Sequence, residues 1–406
     1  MPRAAIALLL LTGLACAQVI VPPANLARVR RDFEPGPGEE SLRCEVTPIP
    51  PAINFAFRFE AGYTFRVPRS QYTSPPEAWM VLVAITPEHG EPTYLAARTP
   101  LAKAPVAESE FTIRGGFILG AGRYSIESTL RDDRHRVCRQ HWNVVVAPSH
   151  SDRGVPLALP PHSIRELSSV SVPDVSHPDD AAPMRIAILL NAAAFSTRRV
   201  VIGERDRQRF AQALTALIEH LPAMSVSVVV FSLEQQKEVF RASSFQPRDI
   251  ARVSDAIATT PQTSVDVSLL KNPLGHVEFL AGLIRRELDP PDPADTVIFF
   301  GPTSRYWDTG PKGTLPAVAE PHTRFFYVRY EAFQLPIIPA ELPPLGSIEH
   351  HAASPQPIAI PPLPRDPSRG QPDIISRAVA QLNGKTMIIH SPAELADAIR
   401  KIEGQH

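Results

Sequence analysis

Residues 184–195 have the sequence MRIAILLNAAAF, and this stretch decides how the second half of the chain folds. Its centre is a continuous apolar run, too short to span a membrane and preceded by proline. A strand buried on both faces of a parallel sheet has this pattern. A helical pattern and a second buried strand follow, which together predict a wound α/β domain.

Apolar periodicity predicts the other elements of this domain, over residues 184–404. Helices are expected at 206–221, 247–258, 274–288, 374–382 and 392 onward, and strands at 226–231, 296–300, 325–328 and 386–389. Ser391, Pro392 and Glu394 predict a capping box at the last helix. Residues 336–372 contain eleven prolines, so a proline-rich insert without regular structure is expected there.

The first half of the chain has short β patterns instead. Residues 54–59 and 63–67 alternate with period two, and residues 122–146 form a predicted hairpin around Asp132 and Asp133. Six or seven short strands over residues 42–147 predict an all-β, immunoglobulin-like sandwich. A flexible lead (18–41) and a Pro/Ser-rich linker (148–183) are expected on either side. The chain is therefore predicted to be multi-domain.

The N-terminus has the pattern of an export signal over residues 1–17. Arg3 supplies the positive charge, residues 5–11 the apolar centre, and residues 15–17 the small-residue cleavage pattern, which leaves Gln18 as the new N-terminus. Lipid modification of Cys16, as in a bacterial lipoprotein, is the alternative. No later stretch is apolar enough to span a bilayer, so a periplasmic or secreted protein is expected.

Two cysteines, Cys44 and Cys138, remain after the predicted signal. An exported protein lies in a compartment that permits disulfides, and a bridge here would close a long loop within the predicted sandwich. Two buried free thiols are the alternative. Two cysteines without histidine pairs at ligand spacing do not indicate a zinc site.

Composition excludes several classes of function. The 406 residues carry a formal net charge of −1, so no overall field attracts nucleic acid or an anionic membrane. Hydrophobic residues make up 44% of the chain, which is typical of a folded protein. The 45 prolines are roughly twice the usual share of about 5%, which indicates long extended connections.

The order of elements over residues 184–404 resembles the von Willebrand factor A (VWA) domain. The likeness rests on the strand at 186–190, the strand ending in Ser232, and the terminal run at 382–395. A sandwich followed by such a domain behind an export signal is similar to a bacterial secreted group related to that family. The resemblance implies a Rossmann-type, doubly wound sheet; another doubly wound α/β fold is the alternative.

Metal-binding members of that family have the pattern Asp-x-Ser-x-Ser after the first strand, whose oxygens suit Mg²⁺. The equivalent positions here are Asn191, Ala193 and Phe195. The family also has a threonine before the middle helix, and Thr263 or Ser264 would occupy that position. The aspartate-glycine pair that usually follows the fourth strand is replaced here by Phe300 and Gly301. The resemblance therefore implies a degenerate metal site, with no metal and no cofactor.

Other candidates are weaker. The nearby acidic residues Asp266, Asp295 and Asp308 are interpreted as solvated loop charges. Glu349, His350 and His351 lie in a proline-rich loop and are interpreted as solvent-exposed. Ser232 is interpreted as a structural hydroxyl. Gly120 and Gly122 resemble a phosphate loop only superficially, because no helix follows. Tyr306 and Trp307 follow a predicted strand and are expected to be an exposed contact pair.

These features predict an exported, non-enzymatic interaction or scaffold protein with an unknown protein partner in the cell envelope or outside the cell. A cation-dependent adhesion module with non-standard ligands is the first alternative. A secreted α/β hydrolase is the second, although no Gly-x-Ser-x-Gly motif is present.

Overall fold

A computed structural model describes residues 18–34, 40–72, 74, 76–100, 109–167, 184–195, 201–260, 272–288, 293–316, 322–331 and 371–404. The chain divides into two compact units, residues 1–169 and 170–406. Most regular structure is β-sheet, which confirms the predicted β-rich architecture at that level. None of the helices in the described ranges is long and apolar enough to cross a membrane.

In its described residues, unit 1 contains two antiparallel sheets and one α-helix. Its elements are β1 (Val19–Ile20), α1 (Pro23–Asp32), β2 (Glu45–Ile53), β3 (Phe59–Pro68), β4 (Ala78–Pro87), β5 (Thr93–Pro100), β6 (Glu110–Leu119), β7 (Gly122–Asp132), β8 (Val137–Val146) and β9 (Ile164–Glu166). One sheet has the order β1-β5-β4-β7-β8 and the other β2-β3-β6-β9. Alternate side chains of both sheets form one core, in which the rings of Trp79 and Phe111 lie 6.0 Å apart.

Three predictions for this half are wrong. The lead (18–41) is not without structure, because β1 pairs with β5 and α1 packs Phe33 beside Leu82. The linker (148–183) is structured at least to Glu166, since β9 pairs with β6; residues 168–183 lie outside the described residues. Residues 54–58 form a turn, because the side chain of Asn54 accepts the N–H groups of Ala56 and Arg58.

Cys44 and Cys138 are joined by a disulfide. Cys44 precedes β2 and Cys138 lies in β8, so the bond links an edge strand of each sheet. The sequence left open a disulfide or two buried free thiols at these positions, and the structure has the disulfide.

The described part of unit 2 contains one six-stranded sheet and five helices. Its elements are β10 (Met184–Asn191), α2 (Glu204–His220), β11 (Ala223–Ser232), β12 (Lys237–Ala242), α3 (Asp249–Thr259), α4 (Gly275–Leu288), β13 (Thr296–Pro302), β14 (Arg324–Tyr330), α5 (Ile374–Gln381), β15 (Lys385–Ile389) and α6 (Pro392–Glu403). The strand order is β12-β11-β10-β13-β14-β15, and all neighbours are parallel except β12 and β11.

Both faces of this sheet are covered. Phe299 and Tyr327 point to one face, where they pack against α4 and α5. On the other face the ring of Phe300 meets Phe210 of α2 at 6.1 Å. A strand buried on both sides needs apolar residues at every position, which is why residues 186–190 are all apolar and buried. The expected central strand is therefore present as β10.

The predicted cap of α6 is present in modified form. The hydroxyl of Ser391 accepts the N–H of Glu394 at 3.3 Å, and Pro392 is the first helical residue. The carboxylate of Glu394 returns to the backbone N–H of His390, one residue earlier than a capping box places it. The proline-rich insert (336–372) lies outside the described residues up to position 370.

Candidate functional site

The carboxyl edge of the parallel sheet is the candidate site. The chain runs from β10 to β11 on one side, whereas β13 pairs with β10 on the other side. Ligands of open α/β sheets bind where two adjacent strands connect in opposite directions in this way. The loops that follow β10, β11 and β13 all leave from this edge.

Asn191 is the last residue of β10 and is only 2% exposed. Its side-chain oxygen Oδ1 has no hydrogen-bond partner among the residues that the structure describes. A Cβ at Gly301 would lie 2.7 Å from the backbone oxygen of Asn191, so the two strands approach closely at this point. The amide N–H of Ala192 donates to the carbonyl of Phe231 at 2.7 Å, which fixes the start of the loop against β11.

The side chain of Phe195 is buried between α2 and the last residue of β14. Its ring packs 4.6 Å from that of Phe210 and 4.5 Å from that of Tyr330, and the residue is buried. Ala193 remains at the edge, where its N–H bonds to the carbonyl of Asn191 at 3.0 Å. Of the three positions equivalent to the metal-binding pattern, two lie in the loop beside the end of β11, and the third is a buried aromatic ring.

A small cavity opens beside Ala192 and Ala193. It holds about 10 Å³, roughly the volume of a single water-sized probe. The loop after β11 supplies its polar wall, from Ser232 to Gln235. The Ser232 hydroxyl accepts the N–H of Gln235 at 3.3 Å. This bond fits the structural role expected for the hydroxyl.

Tyr306 and Trp307 are half-buried, so the expectation of an exposed aromatic pair is wrong. The Tyr306 ring stacks on the imidazole of His276 with the centroids 4.2 Å apart. Burial raises the pKa of Tyr306. The indole Nε1 of Trp307 is buried and has no hydrogen-bond partner among the described residues.

His276, the second residue of α4, was not identified from the sequence. It is 7% exposed, and its Nε2 has no hydrogen-bond partner in the described part of the chain. Burial lowers the pKa of this imidazole, although the carboxylate and the backbone of Asp308 act in the opposite direction. A buried imidazole whose pKa is lowered therefore lies at the start of α4.

Asp373 fixes the loop after β13. This fully buried carboxylate accepts the N–H of Ser304 at 2.6 Å and the N–H of Ser376 at 2.9 Å. The Tyr327 hydroxyl lies 3.3 Å from the same carboxylate, and burial raises the pKa of that phenol well above its usual value. Asp373 thus joins the loop to the start of α5.

The other described acidic candidates do not form a cluster at this edge. Asp295 precedes β13 and lies at the opposite edge, where it accepts the backbone N–H of Arg185 at 2.7 Å; this bond is the main cause that lowers its pKa. Asp308 is exposed and accepts the N–H of Gly310. Within the described ranges, no three His, Cys, Asp or Glu side chains form a group that could hold a metal ion.

Several sequence candidates lie outside the described residues. These are Thr263, Ser264, Asp266, Glu349, His350 and His351, together with the predicted signal and Cys16.

Comparison with known proteins gives no assignment. No family model matches the chain, and no curated protein matches it. Among solved structures, a Northeast Structural Genomics Consortium target is 12% identical and covers 28% of this chain and 95% of its own, with a TM-score of 0.19. The putative ApaA protein from Bordetella pertussis is 13% identical over 28% of this chain and 100% of its own, with a TM-score of 0.18.

A beta-glucuronidase from Bacteroides uniformis is 9% identical to this chain, with a TM-score of 0.18. The aligned region covers 71% of this chain and 36% of that enzyme. At these TM-scores, none of the similarities is informative about fold or function.

Proposed function

We propose that the chain is an exported, non-enzymatic interaction or scaffold protein, in which an immunoglobulin-like sandwich precedes a VWA-like domain without a functional metal site. Its partner is a protein of the cell envelope or the exterior. Contacts come from the loops at the carboxyl edge of the parallel sheet and from the proline-rich insert.

The topology of unit 2 supports the VWA-like part of the proposal. Numbered within the unit, its strands have the order 3-2-1-4-5-6, the order of doubly wound nucleotide-binding folds. The third strand, β12, is antiparallel at the edge. For unit 1, two antiparallel sheets over a shared apolar core support an immunoglobulin-like arrangement.

The observation that carries the proposal is the chemistry at Asn191, Ala193 and Phe195. Mg²⁺ holds its hydration shell tightly and is bound through carboxylates, which these positions do not supply. The buried amide oxygen of Asn191 is neutral, and Phe195 packs in the core. No anionic oxygen at these three positions offsets the free energy of dehydrating the ion.

The position of the insert supports contacts at the carboxyl edge. Glu331, just after β14, donates its N–H to the carbonyl of Ile389 at the end of β15. On the far side of the insert, Asp373 bonds to Ser304 and the N–H of Ile374 bonds to the carbonyl of Tyr306. Both flanks of the insert are therefore attached to loops and strand ends of the same edge.

Calorimetric titration of the mature chain with Mg²⁺, Ca²⁺ and Mn²⁺ tests the loss of the metal site. We expect no binding heat and no shift in the thermal unfolding midpoint. Saturable heat that Asn191→Ala abolishes would favour the cation-dependent adhesion module instead.

Site-specific photo-crosslinking tests the contact surface. A photoreactive residue at Asp308, which is exposed at the carboxyl edge, should give a discrete adduct in the native cell envelope. The matched control is Met224, which is 64% exposed near the amino end of β11 and should give no such adduct. Equal adducts from both positions, or none from Asp308, would contradict the proposed surface.

A further inference from the structure

Two histidines of unit 1 lie side by side at one end of the sandwich. The centroids of the His89 and His162 rings are 6.5 Å apart, and both residues are exposed. His89 lies in the turn after β4, whereas His162 lies shortly before β9.

A third segment, the turn between β6 and β7, brings the two histidines together. The N–H of His162 donates to the carbonyl of Ala121 at 2.9 Å, and the N–H of Gly120 donates to the carbonyl of Ser163 at 2.8 Å. The loop of His89 is attached to the start of β7, just after this turn, because the N–H of Glu88 donates to the carbonyl of Arg123 at 2.9 Å. Backbone bonds therefore set the spacing of the two loops that carry the imidazoles.

His162 also has an unusual backbone. Its φ of 61° is in the left-handed region, which few residues other than glycine adopt. A Cβ at Gly122 would lie 2.6 Å from Nδ1 of the His162 ring, so the imidazole packs directly on this glycine. The Nδ1 side of the ring faces the turn, and Nε2 lies farther from it. Strained residues of this kind are concentrated at binding sites.

The spacing nearly fits two ligands of one metal ion. With Zn–N bonds of about 2.0–2.1 Å and tetrahedral geometry, the two ring centroids would lie about 5 Å apart. The observed separation is larger by about 1 Å or slightly more, which rotation of exposed side chains covers on a nanosecond timescale. The turn can therefore hold both rings close to a shared ion without a change in the backbone.

We propose that His89 and His162 form a surface site for a first-row transition-metal ion of the Zn²⁺ or Cu²⁺ class. Imidazole nitrogens suit these ions rather than Mg²⁺ or Ca²⁺. The protein supplies two ligands, so the other coordination positions are filled by water or by a further ligand from a partner. The site is independent of the proposed function of unit 2.

Titration of the full mature chain with Zn²⁺ alone, followed by calorimetry, tests this site in a background with His350→Gln and His351→Gln. We expect His89→Gln and His162→Gln each to weaken the affinity at least about tenfold, because each removes one ligand. The control is His141→Gln, an exposed histidine that contacts Ser125 at 2.8 Å and should bind as the unaltered background does.

Electron paramagnetic resonance with Cu²⁺ provides a second measurement. The unaltered pair should show coupling to two imidazole nitrogens, and each single variant should show one. Equal Zn²⁺ affinity in all variants, or no two-nitrogen signal from the unaltered pair, would overturn the proposal. Circular dichroism of each variant verifies that the sandwich remains folded.

Discussion

At the scale of single residues, close backbone contact shapes the carboxyl edge more than charge does. Gly301 has a φ of 151°, and it lies against the backbone of Asn191 between two parallel strands. A side chain there would have to displace backbone atoms, which cannot move as the end of a flexible side chain can.

Gly301→Ala should therefore destabilise unit 2 by about 2–4 kcal/mol, the sum of backbone strain and overpacking. Gly282→Ala is the matched control, because this helical glycine has no atom within 4 Å of the new Cβ. The control should stabilise α4 by about 0.5–1 kcal/mol. Urea denaturation measures both values; equal effects of the two substitutions would contradict the contact.

The burial of His276 predicts that the stability of unit 2 depends on pH. Because burial lowers its pKa in the folded state, the unfolded chain takes up a proton at higher pH. The stability of unit 2 should therefore decrease as the pH falls below the ordinary histidine value of about 6.5. His276→Gln removes this proton uptake and should lessen the decrease.

Thermal denaturation at about pH 7.5 and about pH 5.5 measures this dependence, on either side of the ordinary histidine pKa. We expect a larger drop of the unfolding midpoint in the original protein than in the variant. The same drop in both would show that other groups control the response.

At the scale of elements, the sequence predicted those that are long and apolar. β10 was predicted from its continuous apolar run, and α2 from apolar residues at helical spacing, because burial requires apolar residues at the positions that face the core. β12 was not predicted, since this short edge strand is partly exposed and its alternation is weak. Residues 54–59 alternate as a strand does, yet local side-chain bonds from Asn54 make a turn.

α1 was missed for a different reason. Pro22 and Pro23 stand at its start and it contains several charged residues, a composition that indicates a loop. Proline is, however, also favourable in the first helical turn. Its apolar residues are few, and they contact a small cluster with Val21, Phe33 and Leu82 rather than the main core. Tertiary packing decided the outcome where the local pattern was ambiguous.

Phe33→Ala tests this packing. The substitution should destabilise unit 1 by about 2–3 kcal/mol, below the range for a fully enclosed phenylalanine because the cluster is peripheral. Amide hydrogen exchange over α1 should accelerate. Asn25→Ala, an exposed position of the same helix, is the control and should change stability little. Unchanged exchange in Phe33→Ala would show that α1 is held by other contacts.

At the scale of the whole molecule, the candidate sites depend on contacts between distant segments. The end of a buried strand predicted the position of Asn191, since the apolar run stops there. His89 and His162 could not be paired from the sequence, because their loops meet through backbone bonds to residues 120–123, which are distant from both in the chain. The spacing of Gly120 and Gly122 was noted in the sequence, but their contacts with the segment around His162 were not predicted.

The disulfide gives a prediction for the whole chain. Cys44 and Cys138 are 94 positions apart, and on the loop-entropy model such a bridge contributes about 4–5 kcal/mol. Because the bond lies within unit 1, a reductant should lower one thermal transition and leave that of unit 2 in place. Calorimetry measures both transitions, and the double variant Cys44→Ser/Cys138→Ser should be insensitive to reductant. A reductant effect on both transitions would contradict this.

The attachment of residues 331 and 373 to one edge of the sheet has a consequence for chain length. Loop-closure entropy grows only with the logarithm of the number of residues, so each doubling costs about 0.6 kcal/mol. The hydrogen bonds of Glu331 and Asp373 hold the two ends irrespective of what connects them. The fold can therefore accommodate connections of very different size here, and a foreign domain grafted between these two anchors should leave the sheet intact.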